Sequence, residues 1–209
     1  MLGINRRDDE DWFNAMVQVG PGGLVGEVYD KVHLVPFGEY IPFRLGVLRA
    51  MAATSSNGFS SGEQVRLLQT PLGRALPLIC YEGIFPGLVF RTGERADYIL
   101  LITNDAWFGT FAGPFQHFDQ ARFRAAEHGL PVVRAANAGL TSVIDRFGNV
   151  ESTLGLGEAG YSAHTVRTGP PTLYARMGDL PLIIILIGLT AVLLRSKCRN
   201  SIANDTASV

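Results

Sequence analysis

The chain has 209 residues, 47% of them hydrophobic and 18% charged, with a formal net charge of −1, a composition that supports one sizeable core and excludes a disordered polyelectrolyte. It contains no long basic block, which argues against nucleic-acid binding, because neutralising phosphates needs clustered Lys and Arg. The two cysteines, Cys80 and Cys198, lie in segments of opposite character, so no disulfide framework is indicated.

In chain order, MLGINRRDDED lacks the charged, then apolar, then small-residue pattern of a secretory signal. Strand-like runs follow at Ala15–Val19 and Gly26–Tyr29, separated by the turn signal GPGG at 20–23. The segment YDKVHLVPFGEYIPF (29–43) then places Lys31 after a short strand and Glu39 after the Pro36–Phe37–Gly38 turn. A lysine near a cysteine can hold a thiolate and stabilise an oxyanion, and a carboxylate can orient it. On spacing alone the two read equally as a solvated surface pair. His33, isolated beside Leu34 and Val35, reads as a structural residue.

Further strands are predicted at Gln64–Thr70, Ala75–Cys80 and Tyr98–Thr103; the last two are nearly all apolar, as strands covered on both faces are. Cys80 ends its strand inside ICYEGIFP (79–86), where the chain turns toward Gly83 and Pro86. Such a turn exposes a side chain as an acyl-transfer nucleophile requires, but free cysteines are also commonly buried and inert. Alone, Cys80 fits both descriptions. After the loop TNDAWFG (103–109), residues 113–128 carry Phe115, Phe118, Ala121 and Ala125 at helical spacing and predict an amphipathic helix. Strands at Pro131–Ala135 and Thr141–Ile144 enclose RAANAGLTS (134–142), and DRFGN at 145–149 signals a hairpin. Mixed strands and helices over 1–168 predict an α/β domain, a sandwich of mixed sheets with helices outside.

Residues 169–179 contain Pro170 and Pro171 and read as a linker. Leu180–Leu194 is uncharged and is followed at once by Arg195, Lys197 and Arg199. This pattern predicts a transmembrane helix over 180–195 with its basic end in the cytoplasm and the domain on the far side of the bilayer; a buried core helix is the alternative. Residues 196–209 form the predicted cytoplasmic tail, disordered from Asn200 onward. A membrane helix with no visible leader raises the expectation that the chain is a fragment or comes from a truncated reading frame. HExxH and Walker A motifs do not occur, and His33, His117, His128 and His164 lack zinc-ligand spacing. Covalent catalysis by a side chain, without metal or organic cofactor, is therefore the expectation.

Taken together, YDKVHLVPFGEYIPF, ICYEGIFP, ITNDAWFG followed by GPFQHFDQARFRAAE, RAANAGLTSVID and LYARMGDLP resemble the nitrilase superfamily, whose members share an αββα sandwich and a Glu–Lys–Cys triad. The pattern is most similar to the apolipoprotein N-acyltransferase branch and runs from Gly3 to about Leu194. The resemblance implies Cys80 as nucleophile and Lys31 as the triad lysine, with Glu39, Tyr81 and Glu82 as supporting groups. It further implies transfer of a fatty acyl chain from a phospholipid to the N-terminal amine of a diacylglyceryl-modified apolipoprotein, through a cysteine thioester, at the periplasmic face of the bacterial inner membrane. The family's general-base glutamate lies on an earlier strand and has no counterpart here, nor has its preceding bundle of membrane helices; the chain alone is accordingly expected to be inactive. A nitrilase-like amidase and a non-catalytic lipid- or lipoprotein-binding module remain as alternatives. Ile41, Phe43, Leu45, Val47 and Leu48, with Trp107, Phe108 and Phe111, would line an acyl-chain entrance or serve as ordinary packing.

Overall fold

The computed structural model describes residues 1–41 and 58–206, with side chains up to Ser196. The chain divides into two units, Met1–Pro170 and Pro171–Val209.

The first unit holds two sheets. β1 (Leu2–Asp8), β2 (Asp11–Val19) and β3 (Val25–Asp30) form an antiparallel three-stranded sheet in that order. GPGG supplies the β2–β3 connection, with Gly22 at φ 73°, so the hairpin predicted there is present. The second sheet has six strands in chain order: β4 (Leu68–Thr70), β5 (Gly73–Ile79), β6 (Tyr98–Asn104), β7 (Val132–Asn137), β8 (Thr141–Ile144) and β9 (Val150–Leu154). Its centre, β5–β6–β7, is parallel and its margins are antiparallel. Parallel neighbours need crossovers. Two 3-10 turns, Cys80–Ile84 and Pro86–Thr92, make the first, and helix α1 (Gly113–His128) makes the second.

The apolar runs of β5 and β6 serve both faces of this sheet, as strands buried on two sides must. Leu76, Leu78, Ile99 and Leu101 pack with Phe118, Ala121 and Ala125 of α1. Ala75, Ile79, Tyr98 and Leu100 meet Met16 of β2 and Tyr29 of β3. Each large side chain so buried stabilises the fold by about 1.5–3 kcal/mol, which is why the register of these strands is not free to slip. Helix α1 ends where Gly129, at φ 63°, turns left-handed and returns its N–H to the Ala125 carbonyl.

The α/β sandwich predicted over 1–168 is thus present as two facing sheets with α1 outside the larger one; among the described residues of this unit no second helical layer covers the smaller sheet. Gln64–Thr70 pairs only at Leu68–Thr70. Two strands carry no apolar signature and escape a sequence reading. β1 is held by its ladder to β2 and by Arg6, which donates to both carboxylate oxygens of Asp30 at 3.0 and 2.8 Å and lies over the Phe13 ring. β9 is a largely exposed edge that closes the predicted DRFGN hairpin.

The second unit is helical. In α2 (Leu173–Met177) the Thr172 side chain accepts from the Ala175 N–H at 3.0 Å. Helix α3 runs from Leu180 to Thr206. The tail read as disordered from Asn200 therefore continues the helix up to Thr206. Leu182, Ile184, Ile185, Ile187 and Leu189 are all exposed, so the apolar surface runs around the helix and forms no single stripe. Among the described residues no helix is long and apolar enough to cross a membrane.

Candidate active site

Reactive groups in α/β sheets collect at the carboxyl ends of parallel strands, where loops leave a rigid scaffold. Here those ends carry Cys80 after β5, Asp105 after β6 and the loop from Ala138 to Leu140 after β7. Cys80 is half-buried and has φ 51°. A non-glycine residue in the left-handed region costs about 1–3 kcal/mol and persists only where its surroundings impose it.

Glu82 is one such constraint. Its side chain is fully buried. Oε1 accepts from the Tyr29 hydroxyl at 2.9 Å and from the N–H groups of Val32 and His33 at 2.8 and 3.0 Å; Oε2 accepts from the Ile79 N–H at 2.8 Å. Burial pushes its carboxyl above the usual range, against the pull of these donors. One carboxyl group thereby ties the Cys80 turn to the end of β3, where Lys31 stands. Burial and the adjacent Glu82 carboxylate also raise the Tyr29 phenol well above its ordinary value.

Lys31 is 1% exposed, and its Nζ donates to Glu39 Oε2 at 2.7 Å. The solvated surface pair that spacing permitted is therefore absent, and the two form a sheltered ion pair. The Val35 N–H and Asn14 Nδ2 also donate to the Glu39 carboxylate, at 2.8 and 2.9 Å. A buried ammonium needs such a partner, because desolvation without one costs several kcal/mol. Tyr81 packs its ring edge-on to Phe85, centroids 4.8 Å apart, and lies 5.6 Å from His33. His33 stacks on Phe85 at 4.2 Å. Its imidazole is pushed down by burial, then by Arg91 and Lys31. This is the structural role its sequence context predicted.

Sequence reading missed a second buried cluster. Asp105 Oδ1 lies 2.8 Å from His117 Nδ1 and accepts from the Thr103 hydroxyl at 2.9 Å; Oδ2 accepts from Arg134 Nη2 at 2.6 Å. Asp105 and Arg134 are fully inaccessible. Burial would raise the Asp105 carboxyl, but the hydrogen bonds from His117 and Arg134 outweigh it and hold the group at about 2. Arg134 also donates to the Leu140 carbonyl, and His117 Nε2 stands 3.3 Å from the Cys80 carbonyl. The available signal was the presence of Asp105 and Arg134 at the ends of NDAWFG and RAANAG, with His117 facing inward on the helix between them.

Of the predicted apolar entrance, Ile41 and Phe108 are partly exposed, while Trp107 and Phe111 are 86% and 89% exposed. Phe43, Leu45, Val47 and Leu48 lie outside the described residues. Among the described residues no three His, Cys, Asp or Glu side chains converge as a metal site.

The pattern of the family described as carbon-nitrogen hydrolase matches residues 1–169. The apolipoprotein N-acyltransferase of Bradyrhizobium diazoefficiens is 45% identical over 188 residues, 87% of this chain and 34% of that protein. That of Rhodopseudomonas palustris is 41% identical over 193 residues, 88% and 36% respectively. The chain thus spans about a third of the length of these curated relatives. Among solved structures, the amidase from Nesterenkonia sp. AN1, which carries an acetamide moiety on its active-site cysteine, superimposes with a TM-score of 0.53 at 20% identity, covering 72% of this chain and 54% of that one.

Proposed function

Because the chain belongs to the carbon-nitrogen hydrolase family, we propose that it is the Cys80-bearing part of an apolipoprotein N-acyltransferase. The observation that carries this reading is the turn at Cys80: a cysteine in the left-handed conformation at a parallel strand end, joined through Glu82 to the strand that presents the Lys31–Glu39 pair. The likeness to named N-acyltransferases at 41–45% identity supports the transferase over an amidase.

In this mechanism the Cys80 sulfur attacks the ester carbonyl of a phospholipid acyl chain. A carbon–sulfur bond forms, the ester carbon–oxygen bond breaks, and the thiol proton ends on the departing lysophospholipid hydroxyl. The N-terminal amine of a diacylglyceryl-cysteine then attacks the thioester, an amide forms, and the proton lost by nitrogen returns to sulfur. Lys31 supplies positive charge for the thiolate and for the oxyanion of both tetrahedral intermediates, and the N–H after Cys80 is a second donor. Such donors are worth about 2.7–4 kcal/mol each in acyl-transfer enzymes. Glu39 aims Lys31, Glu82 holds the turn, and Tyr81 forms the wall beside the nucleophile. No metal or organic cofactor takes part.

Both substrates are lipids, which places the reaction at a bilayer. Helix α3, apolar around its circumference from Leu180 to Leu194 and basic from Arg195, is in this reading the segment that meets the inner membrane, its basic end toward the cytoplasm. Exposed Trp107 and Phe111 suit the interfacial zone, where aromatic rings concentrate.

The test is acyl capture. The whole transferase that contains this chain, in vesicles of phospholipid labelled in the acyl chain, should yield a labelled thioester on the Cys80 peptide, discharged by a diacylglyceryl-cysteine peptide, whereas residues 1–209 alone should not turn over. An undiminished adduct in Cys80→Ala refutes the assignment.

A further inference from the structure

We propose that His117 is a positioning residue for the nucleophile: it donates from Nε2 to the Cys80 carbonyl and holds that peptide in its left-handed conformation. The proposal rests on Cys80 being the nucleophile.

The argument starts from what faces the ring. Nδ1 lies 2.8 Å from a carboxylate oxygen of Asp105, a distance that requires a proton between them. Nε2 lies 3.3 Å from the Cys80 carbonyl oxygen, which can only accept. The proton that this carbonyl needs is therefore carried by Nε2. The other charged group against the ring is Arg134, whose Nη2 is 3.3 Å from Nδ1 and 2.6 Å from Asp105 Oδ2; the remaining neighbours, the Phe108 ring and the Thr103 hydroxyl on Asp105, carry no charge. His117 is 6% exposed, so water does not replace a missing partner.

Two consequences follow at the nucleophile. The carbonyl of a residue at φ 51° is fixed by a donor from another element, α1, so the direction of the Cys80 side chain is set by the long-range fold as well as by its own turn. The same ring is held at Nδ1 by Asp105, which Arg134 holds in turn, so the Cys80 peptide is tied to the ends of β6 and β7 as well.

The test uses lipid-free chemistry, so its outcome is separable from that of acyl transfer. Alkylation of Cys80 by iodoacetamide is followed on the Cys80 peptide, apart from that of Cys198. His117→Leu should slow it about tenfold, the size of one charge-assisted hydrogen bond. His117→Gln, whose amide N–H reaches the place of Nε2, should restore most of the rate. Nitrogen-15 spectra of the ring should show a proton on Nε2, and Asp105→Asn, which removes the carboxylate that holds Nδ1, should also slow alkylation and serves if His117→Leu does not fold. A wild-type ring without a proton on Nε2, or equal alkylation rates in wild type, His117→Leu and Asp105→Asn, overturns the proposal. Slow alkylation in His117→Leu together with no acyl capture would retain it and reject the transferase reading alone.

Discussion

At the scale of single residues, the chemistry around Cys80 depends on groups whose partners are distant in sequence. Glu82 lies 53, 50 and 49 positions from Tyr29, Val32 and His33, the residues that donate to its Oε1. Spacing cannot reveal such partners, which is why the sequence shows Glu82 only as a neighbour of Cys80 and the structure shows it as a clamp. Glu82→Gln keeps the shape but turns one acceptor into an NH₂ group facing N–H donors, so a loss of about 1–3 kcal/mol is expected in urea denaturation. Unchanged stability would dismiss the clamp. Cys80 offers a paired comparison. Cys80→Ala retains the β-carbon and the strained φ of 51°, whereas Cys80→Gly releases it, so the glycine variant should be more stable than the alanine variant by about 1 kcal/mol. Equal denaturation midpoints would mean that the turn stores no strain. Lys31 and Glu39, by contrast, were legible eight positions apart because the turn between them is local.

At the scale of elements, legibility follows burial. β5 and β6 are readable because both faces are apolar, and α1 because Phe118, Ala121 and Ala125 recur on one side. β1 and β9 are not, because polar edge strands owe their position to a neighbour's ladder rather than to their own composition. The loop between β7 and β8 illustrates what composition hides. Gly139 reads as an ordinary turn residue, but a β-carbon there would overlap Asp105 Oδ2, the oxygen that Arg134 holds. Gly139→Ala should therefore move the carboxylate or the loop, cost about 1–3 kcal/mol as overpacking does, and slow Cys80 alkylation in step with the cluster's disruption. Full stability and unaltered alkylation in Gly139→Ala would show that the loop gives way freely and that the cluster is not packed against it.

For the whole molecule, the buried titratable groups set how the fold responds to acid, and the signs can be worked through. His128, near the end of α1, is pushed down to about 4 from an ordinary 6.5, first by burial and then by Arg124 and Arg95. The unfolded chain takes up this proton below 6.5 and the folded one only below about 4, so the stabilisation is complete above 6.5 and is lost as pH falls through that window. Asp105, at about 2 against an ordinary 3.8, adds a second loss below 3.8, worth about 2 kcal/mol by the same linkage. Glu82 acts oppositely: its carboxyl is raised by burial, so its contribution is greatest below 4.5 and shrinks as pH rises through its folded value. Below 6.5 the losses from His128 and His33 and the gain from Glu82 overlap, so the His128 part is read as the urea midpoint of the wild type minus that of His128→Gln. This difference should shrink as pH falls from 6.5 to 4 and hold level above 6.5, while both proteins lose stability again below 4 through Asp105. A difference that stays constant between pH 6.5 and 4 would mean that His128 takes up its proton without strain in the folded state, and that acid acts on this fold through its other groups.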